Sequence, residues 1–127
     1  DDHMVLPETI SKEPLGPVVR QGDAVWEDIV RWSLNVMIEA EEYGITSSNA
    51  DAMKTSENPA VKRLVGSEGE LGSYLSLDQD WSLNIIKQVG NYGESYKRNI
   101  ADTGILPDRG PNNIWTKGGL LYTPPAR

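Results

Sequence analysis

Cysteine and phenylalanine are both missing from this 127-residue chain, and histidine occurs once. The first absence removes thiol nucleophiles, thiolate metal sites and disulfides together, while leaving the redox compartment open. The second leaves four Trp and five Tyr as the large aromatic side chains, so buried rings must also find partners for an N–H or O–H. A single imidazole, His3, makes neither a catalytic triad nor a multi-histidine metal site, and it reads as a solvated terminal residue. Positive charge is scarce too. Twelve Lys and Arg face 19 Asp and Glu, a formal net charge of -7. The basic residues are scattered, which argues against nucleic acid and against an anionic membrane surface. No apolar run approaches the roughly 20 residues that cross a bilayer, so no membrane insertion is expected. The opening "DDHMVLPE" has neither the basic segment nor the apolar stretch of an export signal.

What is present divides into a short extended part and a helical part. Met4 to Leu6 and Leu15 to Arg20 are short apolar or β-branched runs separated by "PETISKEP", whose prolines remove backbone donors; they predict two strands joined by an irregular strip. Gly22 and Asp23 then break the pattern. Asp23 is a good N-cap, and Val25, Trp26, Ile29, Val30, Met37 and Ala40 recur at helical spacing, which predicts a helix from about Ala24 to Tyr43. Gly44 is placed to end it in the left-handed conformation, with Ile45 folding back on the last turn.

Beyond Gly44 the signals shorten. "TSSNADAMK" reads as one or two helical turns, and "NPAVKRLVG" has Asn58 as cap, Pro59 at the first helical position and Gly66 as terminator. "SEGELGSYLS" reads as a surface loop that turns Leu71, Tyr74 and Leu75 inward. A further long element begins near Asp78 with Asp78 and Asp80 as caps and a stripe of Trp81, Ile85, Val89, Tyr92 and Tyr96; Gly90 and Gly93 inside it predict a kink or a close approach. From Ala101 onward the chain is rich in Gly, Pro and Asn, with one helical turn expected around Ile114 to Thr116 and an extended tail.

No constellation assembles a nucleophile, a base and oxyanion donors, so an enzyme is not expected, nor is a cofactor or a metal. Glu39, Glu41 and Glu42 close the first long helix, where carboxylates oppose the macrodipole, and they read as a solvated face rather than a catalytic carboxylate pair. "DQDWSLNIIKQV" begins like a calcium loop but lacks Gly at its sixth place and Glu at its twelfth. The glycines of "GNYGE" and "TKGGLL" have the spacing of neither a dinucleotide fingerprint nor a phosphate loop.

The stretch "LPETISKEPLGPVVRQGDAVWEDIVRW", residues 6–32, resembles the return strand and following helix of periplasmic amino-acid-binding proteins that serve ABC transporters. The motifs are "SKEPLG" at Ser11 to Gly16 and the Arg-X-Gly-Asp turn at Arg20 to Asp23. "NPAVKRLVG", "VGNYGESYKRNI" and "WTKGGLLYTPPAR" resemble the long C-terminal extension of the general L-amino-acid-binding subfamily, the last motif being the most specific. The resemblance implies an α/β, helix-dominated chain: the C-terminal part of a type II periplasmic-binding-protein-like fold, with two short strands and a long helical extension. It divides the sequence into a crossover strip and strand (1–22), a sheet-covering helix (23–45) and an extension (46–127). It also implies amino acids and an ABC permease as partners of a two-lobed parent, a periplasmic location, and a hinge role for Ser11, Lys12, Glu13 and Pro14. Ligand contacts remain unassigned, because most of both lobes lies outside the resemblance. The rival reading is a stand-alone interaction or scaffold domain that forms a homo-oligomer through open strand edges.

Overall fold

The computed structural model describes residues 3–4, 6–8, 10–11 and 13–127. Its largest element, α1 (Ala24–Glu42), starts where the Asp23 carboxylate accepts the Trp26 N–H at 3.0 Å. That bond satisfies one of the four donors a helix start leaves free. At the other end Gly44 takes φ 67°, and the Ile45 N–H reaches back to the Ala40 carbonyl at 2.8 Å. The Ile45 side chain is thereby placed in the core, fully buried. Start, stop and fold-back all follow the local sequence signals.

Four shorter helices complete the regular structure: α2 (Pro59–Leu64), α3 (Leu71–Tyr74), α4 (Trp81–Val89) and α5 (Tyr92–Asn99), with 3-10 turns at Ala52–Thr55, Ala101–Thr103, Gly110–Asn112 and Trp115–Lys117. Helix α2 is capped by Asn58, whose side chain accepts the Ala60 N–H at 2.9 Å, and has Pro59 at its start. Helices α4 and α5 both pack on α1. The core lies where the second half of α1 meets α2 and α4. There Val36, Ala40, Leu64, Val65 and Ile86 are almost wholly removed from water, and the buried Ser82 hydroxyl donates to the Leu64 carbonyl.

The stripe from Trp81 to Tyr96 forms two helices rather than one. Gly90 sits at φ 88°, a conformation L side chains rarely adopt, and ends α4. Asn91 then opens α5 through a reciprocal box with Glu94. The expected aspartate caps of α4 are also corrected. The Asp80 side chain makes no capping bond; instead the Asp78 and Asp80 carbonyls accept the Trp81 and Asn84 N–H groups. Leu75 turns inward as expected and Leu71 packs against the core, but Tyr74 is 80 % exposed.

The two predicted strands are the main correction to the expected α/β fold. Among the described residues no strand forms, and the one bridge is an isolated parallel pair, Ile114 with Leu121. Val5 and Lys12 lie outside the described residues. Leu15 and Val18 are 92 % and 94 % exposed. The reason is that a strand is defined by its neighbour: without a second ladder, β-branched residues supply propensity but no hydrogen-bond partner. The strip instead leans on the first half of α1, where Pro17 and Val19 face Val30 and Leu34 across a recess of about 180 Å³.

Candidate functional site

Three carboxylates at the end of α1 organise the whole C-terminal segment. Glu39 and Glu41 are buried, against the expected solvated face. The Arg109 guanidinium donates to both Glu41 oxygens, at 2.5 Å and 3.1 Å, with side chains only 15 % and 6 % exposed. Arg109 also donates to the Asn112 carbonyl and lies 5.7 Å and 5.3 Å from the ring centroids of Tyr92 and Tyr96. Lys117 approaches the same Glu41 carboxylate at 3.7 Å. Trp115 donates its indole N–H to Glu42 at 3.0 Å, and the Ala126 N–H donates to Glu39 at 3.0 Å. One helix end thus holds residues 109, 115, 117 and 126.

The sequence signal for this arrangement was the macrodipole. Three carboxylates at a helix C-terminus, with no basic residue in the last turn, are unfavourable alone and need cationic or N–H partners. Those partners lie 68 to 87 residues away in sequence, so no local reading finds them. Burial drives the Glu39 carboxyl above its ordinary value, with Glu42 adding to the rise, while the Ala126 N–H and Arg63 counter it. Burial beside Glu39 and Glu42 likewise pushes the Tyr43 phenol up.

Gly93 fits this cluster for a steric reason. A Cβ at that position would stand 3.0 Å from the Glu41 carboxyl carbon and 3.1 Å from the Arg109 guanidinium. The close approach expected of this glycine is therefore to an ion pair rather than to a backbone. A second knot ties α5 to the turn after α1. Glu94 accepts the Ser47 hydroxyl at 2.7 Å, the Ser47 N–H at 3.0 Å and the Asn91 N–H at 2.8 Å, and the Asn91 amide donates to the Ile45 carbonyl at 2.7 Å. Burial alone would raise the Glu94 carboxyl, yet the Ser47 and Asn91 donors hold it below its usual value.

The chemistry available here is tethering. Glu39, Glu41 and Glu42 each accept from a donor within the chain itself. Among the described residues no group of three or more His, Asp or Glu is arranged to hold a metal ion, and no helix is long and apolar enough to cross a membrane. Of the expected hinge residues, Ser11, Glu13 and Pro14 are exposed, and Lys12 lies outside the described residues. The structure does not bring them to the carboxylate cluster. Apolar side chains are also exposed at the start of α1, where Val25 and Trp26 face solvent at 60 % and 52 %, and in the C-terminal segment at Leu120 and Tyr122.

No protein-family model matches the chain. It is similar along its whole length to the general L-amino-acid-binding periplasmic protein AapJ of Rhizobium johnstonii, at 55 % identity over 130 residues that make up 38 % of that protein. It is 52 % identical, over 99 % of its length, to the glutamate/glutamine/aspartate/asparagine-binding protein BztA of Rhodobacter capsulatus. A solved ABC-transporter periplasmic binding protein from Brucella ovis with glutathione bound superposes with a TM-score of 0.89 at 54 % identity, covering 96 % of this chain and 39 % of that one. The chain is thus similar to one part of periplasmic binding proteins of ABC transporters, and spans less than two fifths of the length of the relatives it matches. These relatives are binding proteins, not enzymes.

Proposed function

We propose that this stretch of an amino-acid-binding protein serves ABC-transporter uptake in the periplasm as one part of a two-lobed capture device, handing amino acids to a permease without chemistry on them. Residues 1–22 would form the crossover strip, with Ser11, Lys12, Glu13 and Pro14 in the hinge. Residues 23–45 would carry the helix that covers a lobe's sheet, and residues 46–127 the extension. The observation that carries this reading is the exposed apolar surface of the strip and the start of α1: Leu15, Val18, Val25 and Trp26 are all exposed, while Val36, Ile38 and Ala40 in the second half of α1 are buried. An apolar strip and a helix face left open side by side fit a sheet supplied by the remaining three fifths of such a protein. A closing cleft binds tightly because both walls desolvate the ligand and hydrogen-bond to it. The chain alone, with at most a partial wall, should therefore bind amino acids weakly.

The test is a chimera in which this chain replaces the matching stretch of the Rhizobium relative. Calorimetry with a panel of L-amino acids is expected to show binding by the chimera and only dilution heats for the isolated chain. A folded chimera without affinity, or low-micromolar binding by the chain alone, overturns the proposal. The rival reading, a stand-alone scaffold domain, would pair the same Leu15–Arg20 strip with a second copy of the chain; a monomer by light scattering at high concentration counts against it.

A further inference from the structure

We propose that residues 123–127 are a pH-gated strap, held closed over the core in acid and released as the Glu39 carboxyl beneath them loses its proton. This goes beyond amino-acid uptake and does not depend on it. The geometry is that of a latch with one catch. Pro124 and Pro125 have no N–H and stiffen the segment, so the next backbone donor is Ala126. Its N–H donates to Glu39 at 3.0 Å. Among the described residues this is the segment's one hydrogen bond to the rest of the fold, because the Thr123 hydroxyl turns back onto the Pro124 carbonyl. Ala126 itself sits in the core at 3 % exposure. Ala126 and Arg127 also border a recess of about 200 Å³ shared with Trp32, Leu71, Leu75 and Trp81. Part of the strap thus lies over a gap, and lifting it breaks fewer contacts than a close-packed tail would lose.

The coupling to a proton follows from what the closed strap covers. Glu39 is 3 % exposed, and burial pushes its carboxyl above the ordinary 4.5. Glu42, three residues further along α1, adds to the rise; the Ala126 N–H and Arg63 from α2 counter it without cancelling it. Arg109 and Lys117 are drawn to Glu41 instead. The Tyr43 phenol beside Glu39 is itself pushed up and stays neutral near pH 7, and neither Arg63 nor Arg127 gives up its proton. Lifting the strap admits water to the carboxylate and returns the group toward its ordinary value. The closed form therefore holds the proton more tightly than the open one. Its advantage is fully present below pH 4.5 and is lost as pH rises through the closed-state value. A neutral carboxyl still accepts the Ala126 N–H through its carbonyl oxygen, so protonation leaves the catch in place.

The test is amide exchange in the ¹⁵N-labelled 127-residue chain between about pH 4 and pH 8, each rate divided by its intrinsic value at that pH. Protection at Ala126 reads the opening of the strap, and protection at Ile86, fully buried in α4, reads the opening of the core. Ala126 is expected to be protected at the acid end and to lose at least about threefold of that protection by the alkaline end, over and above any change at Ile86. In Glu39→Gln, which keeps an acceptor and removes the titrating proton, Ala126 should stay protected throughout. No protection at Ala126 in acid, protection that is flat or rises with pH, or a fall only in step with Ile86 overturns the proposal, as does a fall that persists in Glu39→Gln. The comparison of Ala126 with Ile86 in the unmodified chain decides the matter whether or not the variant folds.

Discussion

At the scale of single residues, two buried or half-buried glutamates act in opposite senses. Glu39 has its carboxyl raised above the ordinary 4.5 by burial. A raised acid binds its proton more tightly in the folded chain, so its contribution to stability is present below pH 4.5 and is lost as pH climbs through the folded value. Glu39→Gln keeps an oxygen for the Ala126 N–H and removes the desolvated charge. Thermal unfolding should therefore show the variant more stable by about 1 kcal/mol at pH 8 and indistinguishable at pH 4. A loss of stability at pH 8 would mean that the charge itself holds the tail. Glu94 is the reverse case. Its carboxyl is lowered from 4.5 by the Ser47 and Asn91 donors, against the push of burial. Its contribution is therefore present above pH 4.5 and is lost as pH falls through the folded value. Glu94→Ala removes acceptors from Ser47 and from the start of α5, and should cost about 1–2 kcal/mol at pH 7 and less in acid. A penalty that does not change with pH contradicts this assignment.

At the scale of elements, the joints decide the architecture. Gly90 and Asn91 turn one apolar stripe into two helices, and α5 is then oriented so that Gly93 passes directly over the Glu41–Arg109 pair. Helix propensity alone predicts that Gly93→Ala stabilises α5 by about 1 kcal/mol. The added methyl instead meets both members of a buried pair at 3.0 to 3.1 Å. Breaking such a pair costs about 3–5 kcal/mol, so even partial displacement outweighs the propensity. Denaturant unfolding is expected to place Gly93→Ala about 1–2 kcal/mol below the unmodified chain, and a more stable variant would show that the pair moves aside freely. The elements themselves were legible: Asp23, Gly44, Asn58 with Pro59, and the turn near Trp115 all lie where capping and turn chemistry put them. The α4–α5 junction was legible only as a suspicion about two glycines, because a stripe at three- and four-residue steps continues through the break.

At the scale of the whole molecule the chain has a packed end and an open end. The second half of α1, α2, α4 and the tail share one core, whereas residues 13–20 and the start of α1 have little to lean on. Amide exchange should follow this division: slow exchange at residues 36–42 and 82–86, and exchange near the unfolded rate at residues 15–20. In the chimera with the Rhizobium relative, residues 15–20 are expected to gain protection as they pair into a sheet. Unchanged exchange there would remove the assignment of this strip as a strand-in-waiting.

By itself the sequence determined what depends on neighbours a few residues apart. That includes both ends of α1, the start of α2, the irregular proline-rich opening, the absence of thiol and multi-histidine chemistry, and the motifs that pointed to amino-acid-binding proteins. Only the tertiary structure decided the fate of the carboxylates on α1 and of the strip before it. Glu39, Glu41 and Glu42 became tethers because donors from residues 109–126 returned to them over 68 to 87 positions. Leu15 to Arg20 stayed single because no second strand forms beside it among the described residues. Both outcomes turn on partners distant in sequence: a buried charge or a strand is stable only in company, and periodicity cannot say who the company will be.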